Sequence, residues 1–437
     1  MTTLRGLFAA ALTGGRGPQV TRRTWPDGDS VSLLGYGSMR MPTRDGGHAN
    51  NWERANYSKT GIDQSLLNDQ IAYLLEHGVN YFDTSPAYCR GESERRLGEA
   101  LAKSGAPRKD YYLATKLSNF APAQFPAAAS KDLFEKSLKN LRTDYIDYYL
   151  LHSVGNGGFE TFEKRFVANG MIDWLFEQKK AGRIRRLGWS YHGDPKTVEW
   201  LLKAHDEGRY PWDFALIQMN YIDWRHAKQV NDRNLDAEYL YNELTKRGIR
   251  VAVMEPLLGG RLARYHHALA RVLTPLDPSA SQASWAFRFC ASHPNVMTVL
   301  SGMTFTEHIE ENCRTLSPLK PLTSDEFAAL ERAAEGYLSC DVVPCTGCNY
   351  CMPCPYGLDI PTLLAFRNEF LSKDTGLAPD ALVAAYEKAL PDHLRRAEHC
   401  TGCGRCVPHC PQGIDIPDEI AAIDRAVEEL RNATAFK

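Results

Sequence analysis

Eight cysteines stand in two matching runs. Cys345, Cys348, Cys351 and Cys354 lie in CTGCNYCMPCPYGLDIP, and Cys400, Cys403, Cys406 and Cys410 lie in CTGCGRCVPHCPQGIDIP. The runs begin at positions 345 and 400, a repeat of 55 residues. The second run is C-x2-C-x2-C-x3-C-P, the spacing that places thiolates around a [4Fe–4S] cubane. Short spacings let three thiolates wrap one face of the cluster, with small residues between them leaving backbone N–H groups free to point at sulfide. The first run closes one residue sooner. The alternative metal is zinc, whose sites are usually separated C-x2-C pairs. Runs of four ending in Cys-Pro fit that poorly, so two [4Fe–4S] clusters are the expected cofactors. Cys89, Cys290, Cys313 and Cys340 are scattered and read as small buried apolar residues.

A second chemical set sits at the ends of apolar runs. Asp83, Lys116, His152, Ser190, Asn220 and Glu255 each close a strand-like stretch. The stretches are Ser30–Met39, Val79–Thr84, Tyr111–Lys116, Tyr145–His152, Ile184–Ser190, Phe214–Asn220, Ile249–Glu255 and Val296–Gly302. Helical patterns separate them, among them Gln64–His77, Asp132–Leu141 and Glu160–Lys180. Eight strand–helix units match a (β/α)8 barrel. An open doubly wound sheet is the alternative, but no glycine-rich dinucleotide fingerprint follows the first strand. In such a barrel the chemistry lies at the carboxyl ends of the strands.

Three pieces at those ends carry a family resemblance. They are VNYFDTSPAYCRGESERRLGEAL with Asp83 and Tyr88, LATK with Lys116, and DYIDYYLLHS with His152. Together they resemble the aldo-keto reductase superfamily, over about residues 20–315. The pieces CNYCMPCP and GLDIP are similar to the branch that carries a C-terminal, α-helical ferredoxin-like domain. The resemblance implies Tyr88 as general acid, Lys116 as the cation lowering its pKa, Asp83 as the partner of Lys116, and His152 as the group orienting a carbonyl oxygen. An ammonium near a phenol does favour the phenolate. The alternative is a barrel that keeps these residues only as an ion pair and a core histidine.

The resemblance also implies a nicotinamide cofactor. Ser190 (in LGWSYHG), Gln218 and Asn220 (in IQMNY) match the carboxamide contacts. Met254 stands where an aromatic ring commonly stacks, and Gly302, Glu311 and Asn312 match the adenine end. The loop Ser301–His308 lacks the Arg or Lys that usually meets a 2′-phosphate, so NAD and NADP both stay open, as does no nicotinamide at all. In two-cluster ferredoxins the fourth cysteine crosses to the other cluster. That implies one set of Cys345, Cys348, Cys351 and Cys410, and another of Cys400, Cys403, Cys406 and Cys354. Substrate-side candidates are Met39, Arg40, Arg90, Trp189, Tyr221 and Trp224.

These elements divide the 437 residues into an N-terminal extension (1–19), a barrel (20–320) and a helical ferredoxin-like domain (321–437). A net charge of −2 argues against a nucleic-acid partner. No apolar run is long enough for a membrane helix. MTTLRGLFAAALTGG is a poor secretory signal, so a cytoplasmic location is expected. The expected function is an oxidoreductase that interconverts a carbonyl and an alcohol on a small carbonyl or sugar-like substrate, with the clusters serving a redox partner. Two other readings stay open: an electron-transfer module with a non-catalytic barrel, and a redox-neutral sugar-modifying enzyme with tightly bound nicotinamide.

Overall fold

The computed structural model describes residues 18–47, 61–340, 342–371, 376–390, 396–410 and 412–435. Most of the expected N-terminal extension, residues 1–17, lies outside them.

Ten strands are present among the described residues. The first two, β1 (Arg22–Thr24) and β2 (Ser30–Ser32), form an antiparallel hairpin around the Pro26-Asp27-Gly28-Asp29 turn. The other eight are β3 (Leu34–Gly37), β4 (Tyr81–Asp83), β5 (Tyr112–Leu117), β6 (Ile146–Val154), β7 (Ile184–Tyr191), β8 (Phe214–Gln218), β9 (Arg250–Met254) and β10 (Val296–Ser301). They are parallel and close in chain order into one barrel. The stretch Ser30–Met39, expected as one strand, is thus split. Its first part belongs to the hairpin and its second is the first barrel strand. Asp27 and Asp29 in the hairpin turn pair with Arg186 and Arg250 from β7 and β9, and Tyr148 from β6 donates to Asp29. The hairpin therefore plugs the end of the barrel where the strands begin.

The interior is filled by side chains, as a barrel of this strand number requires. Tyr81, Tyr148 and Phe214 pack through it with centroids 5.1 Å apart at each step, the first pair tilted at 58° and the second edge to face at 88°. Period-two alternation then decides which polar groups reach the far mouth. Asp83 is level with Ala114 on β5. Lys116 lies two residues further on, on the same face and nearer the mouth.

One long helix is broken. In place of a continuous Glu160–Lys180 there are a short helix Gly158–Phe162, a π-helical turn Glu163–Val167, and a helix Met171–Lys180 entered through Gly170 at φ 69°. The wider turn sends Arg165 inward, to 2% exposure.

A second, smaller core runs from Val343 to Val427, built on Leu363, Leu364, Phe366, Ile420 and Ile423. These come from the helices Ile360–Phe366 and Ile416–Ala435. The helix Ser324–Leu338, started by a Thr323–Glu326 capping box, packs into the barrel's core through Leu330, Ala333, Ala334 and Tyr337. The second unit's core thus begins about twenty residues after the boundary expected at 320. The apolar face of that helix had no assigned partner in the sequence, and the barrel is where it is buried. No helix among the described residues is long and apolar enough to cross a membrane.

Candidate active site and cluster cages

Four side chains meet at the carboxyl mouth of the barrel. Lys116 Nζ donates to Asp83 Oδ1 at 2.5 Å and to the Thr84 carbonyl at 2.8 Å. The same ammonium stands 4.8 Å from the centre of the Tyr88 ring. The rings of Tyr88 and His152 are 5.7 Å apart and nearly perpendicular. Tyr88 is carried by a tight turn after β4, in which Cys89 and Arg90 both take left-handed backbone (φ 51° and 57°). Such residues store about 1–3 kcal/mol each. The turn is held because the buried Cys89 Sγ lies 3.5 Å from the carbonyls of both Ser38 and Met39.

The electrostatics follow from burial. Burial pushes Asp83 up and Lys116 down, and each opposes this with its charge on the other. Burial pushes His152 well down, helped by the charges of Lys116, His192 and Arg165, so the imidazole is neutral. Tyr88 departs from expectation. Burial first, then the charges of Asp83, Cys89 and Glu255, hold its phenol well above the usual value. The Lys116 ammonium, paired with Asp83, does not outweigh them. The phenol keeps its proton at neutral pH.

Several supporting residues were not singled out from the sequence. His152 Nδ1 is 2.6 Å from Ser118 Oγ and 3.3 Å from Ser85 Oγ. Arg165 donates to the carbonyls of His152 (2.7 Å), Ser153 (3.3 Å) and Asn119 (3.1 Å). It holds the end of β6 and with it the imidazole. The available signal was a charged residue on the inward side of an apolar helical pattern.

A cavity of about 1940 Å3 opens at this mouth. Tyr88 and Asp83 are on its wall, and Asp83 Oδ2 is buried without a hydrogen-bond partner. Of the residues expected at a nicotinamide cofactor, Gln218, Met254, Gly302, Glu311 and Asn312 line it. Ser190 and Asn220 do not reach it. Ser190 Oγ is taken by the Ser153 N–H at 2.8 Å. Asn220 spends its amide on Asp223 Oδ2 (2.7 Å) and the Glu255 carbonyl (3.0 Å), and its oxygen on the N–H groups of Ile222 and Asp223. It shapes the turn after β8. Arg40 supplies a cation where the Ser301–His308 loop has none. Its side chain fills the space beside Gly302, 3.6–3.8 Å from where a Cβ would sit. Met39 also lines the cavity. Trp189 and Tyr221 are buried in the core, and Trp224 packs on Phe289 and His293, away from the mouth.

The far wall of the same cavity is the second unit. Cys348, Cys351, Cys354, Cys400, Cys403, Cys406 and Cys410 all border it. A smaller cavity behind it is walled by Cys345, Cys348, Cys351 and Cys410. Burial pushes the Cys351 thiol up, and the charges of Cys345, Cys348 and Cys410 push it further. The Cys406 thiol is pushed up to about 11, first by burial and then by Cys400, Cys403 and Cys354. The thiols thus group as two crossed sets, with Cys410 beside the first run and Cys354 beside the second. Crowded thiols that raise one another's pKa are the condition a bound cation relieves. Among the described residues no three Cys, His, Asp or Glu side chains converge on a single ion. A cubane takes each thiolate at a different corner and fits a wider cage. The Gly347 N–H, 3.4 Å from Cys345 Sγ, adds the kind of sulfur contact that such clusters use.

The sequence pattern of the aldo/keto reductase family matches residues 34–335. This chain belongs to that family. A 4Fe-4S dicluster domain pattern matches residues 344–415. L-galactose dehydrogenase of Arabidopsis thaliana is 26% identical over 68% of this chain and 88% of its own length. Methylglyoxal reductase YeaE of Escherichia coli is 27% identical, over 62% and 87%. Among solved structures, the aldo-keto reductase AKR11C1 of Bacillus halodurans in its holo form superposes with a TM-score of 0.55, at 24% identity over 73% of this chain and 97% of that one. The aldo/keto reductase of Klebsiella pneumoniae in complex with NADP and acetate gives 0.51, at 20% identity over 72% and 95%. These likenesses agree on the barrel. The chain is an aldo/keto reductase-type oxidoreductase with a 4Fe-4S dicluster domain.

Proposed function

We propose that the barrel interconverts a small carbonyl and its alcohol, with Tyr88 as the proton donor in reduction. The observation that carries this is the meeting of Tyr88, Lys116, Asp83 and His152 on one face of the mouth. A nicotinamide dinucleotide, when bound, supplies or accepts the hydride. Gln218, Met254, Asn312 and Arg40 are the residues on the cavity wall that would hold it. Tyr88, protonated at neutral pH, gives its proton to the oxygen as negative charge develops there. With Ser118 donating to Nδ1, neutral His152 presents Nε2–H to the same oxygen and fixes its direction. Lys116, tied to Asp83, faces the Tyr88 ring and steadies the phenolate left behind.

Cysteines of both runs border the same cavity as this site. Cys345, Cys348, Cys351 and Cys410 would hold one [4Fe–4S] cluster, and Cys400, Cys403, Cys406 and Cys354 the other. Loaded clusters carry electrons singly, whereas a hydride carries a pair. The clusters would therefore serve a one-electron redox partner.

The test uses anaerobically purified protein, with NADH or NADPH for reduction and NAD+ or NADP+ for oxidation. Methylglyoxal and L-galactose serve as probes, being the compounds named for the two relatives. Turnover that is lost in Tyr88→Phe, with bound iron unchanged, supports the reading. Full turnover in Tyr88→Phe overturns it and leaves the barrel as a scaffold for the electron-transfer domain.

A further inference from the structure

The barrel and the cluster-bearing unit meet at one unusually close contact. It lies on the loop after β9, which follows Met254 and Glu255 on the cavity wall. Gly259 in that loop has φ +67°, and a Cβ there would come within 2.3 Å of Thr346 Cγ2. Thr346 stands between two cysteines of the first run, Cys345 and Cys348. A few residues further along the same loop, Arg264 Nη2 lies 3.6 Å from the position a Cβ would take on Gly347. Gly347 is the residue whose N–H points at Cys345 Sγ. Arg264 also lines the cavity.

We propose that Arg264, carried by the barrel, is the outer-sphere cation of the cluster held by Cys345, Cys348, Cys351 and Cys410, and that the Gly259–Thr346 contact holds it in place. A reduced cubane is one charge more negative than an oxidised one. A nearby guanidinium stabilises the reduced form and raises the reduction potential, as outer-shell charges and hydrogen bonds do in such centres. In the second run, Gly402 and Gly404 have nothing within 4 Å of where a Cβ would sit. Arg264 is thus a positioning residue that raises the potential of the first cluster. An anion bound in the cavity beside it would compete for the same charge. Cofactor binding and cluster reduction are then linked, and the linkage is reciprocal.

The inference rests on the cluster assignment above, and the experiment separates the two. Full-length protein is purified anaerobically, assayed for iron and sulfide, and titrated electrochemically with detection by electron paramagnetic resonance. In Arg264→Gln one of the two midpoint potentials falls and the other holds. Arg264→Lys keeps most of the original value. Gly259→Val, which leaves Arg264 in the chain but displaces Thr346, lowers the same midpoint. Full iron with unmoved midpoints in Arg264→Gln overturns the inference, as does an equal shift of both clusters. Iron far below two clusters in the unmutated protein overturns the cluster assignment and this inference with it.

Discussion

The two sites facing one cavity are built by opposite means. At the barrel mouth the protein supplies the partners: Lys116 has Asp83 and the Thr84 carbonyl, His152 has Ser118, and the end of β6 has Arg165. The strands beneath are packed on a large interior core. In the second unit the thiols have chiefly one another, on loops over a small core. The first site is organised before any ligand arrives. The second brings together thiols that oppose one another's ionisation until a metal binds them. The proposed acid–base chemistry thus sits on hydrogen-bonded strands, and the proposed metal chemistry on loops.

Iron removal is the strongest way to break this comparison. Chelation under anaerobic conditions should unfold residues 343–427 while the barrel keeps its cooperative melt, read by amide hydrogen exchange. Equal protection of both regions in the iron-free protein would remove the contrast. Next in size, Tyr88→Phe should lower carbonyl turnover by about 10²–10⁴-fold, the usual weight of a positioned acid, with cofactor binding and iron content unchanged.

A third test probes how complete the barrel's own satisfaction is. Asp223 is buried, its Oδ1 lacks a partner, and burial raises its carboxyl to about 7 despite the hydrogen bond from Asn220. A raised carboxyl contributes stability that is present below the unfolded value near 3.8 and lost as pH rises through about 7. At about 1.4 kcal/mol per pKa unit, that loss is on the order of a few kcal/mol. Asp223→Asn should melt higher than the parent at pH 8 and match it at pH 4; equal melting at both would dismiss the effect. The smallest expected effect sharpens the picture at His152. Arg165→Lys cannot span three carbonyls at once, and turnover should fall by about 10-fold, with the melting temperature within a few degrees. An unchanged rate would reduce Arg165 to packing.

The features that could be read from sequence are those written in local patterns. Apolar runs with polar ends gave the eight barrel strands, and cysteine spacing gave the cages, because strand burial and metal geometry both act over a few residues. What escaped depends on packing between distant segments. Nothing local says that Ser30–Met39 breaks at Leu33, since the plugging role of the hairpin depends on Arg186 and Arg250. Arg165 is drawn inward by carbonyls on a neighbouring strand. Asn220 has the residue type of a ligand contact, yet four nearby backbone and side-chain groups claim it first. The upward shift of Tyr88 depends first on burial and then on Asp83, Cys89 and Glu255, and only the closed barrel buries the ring. Arg40 reaches the Gly302 loop because β3 and β10 are neighbours in the closed sheet.

The crossing of the two cysteine runs has a consequence in time. Cys410 sits with Cys345, Cys348 and Cys351, so neither run can complete a cage by itself. During synthesis the barrel segments through Leu338 emerge first and can fold without waiting. Neither cage can then close until the second run has left the ribosome. On the proposed crossed assignment, iron delivery is therefore a late event, carried out on a chain whose barrel mouth already stands assembled.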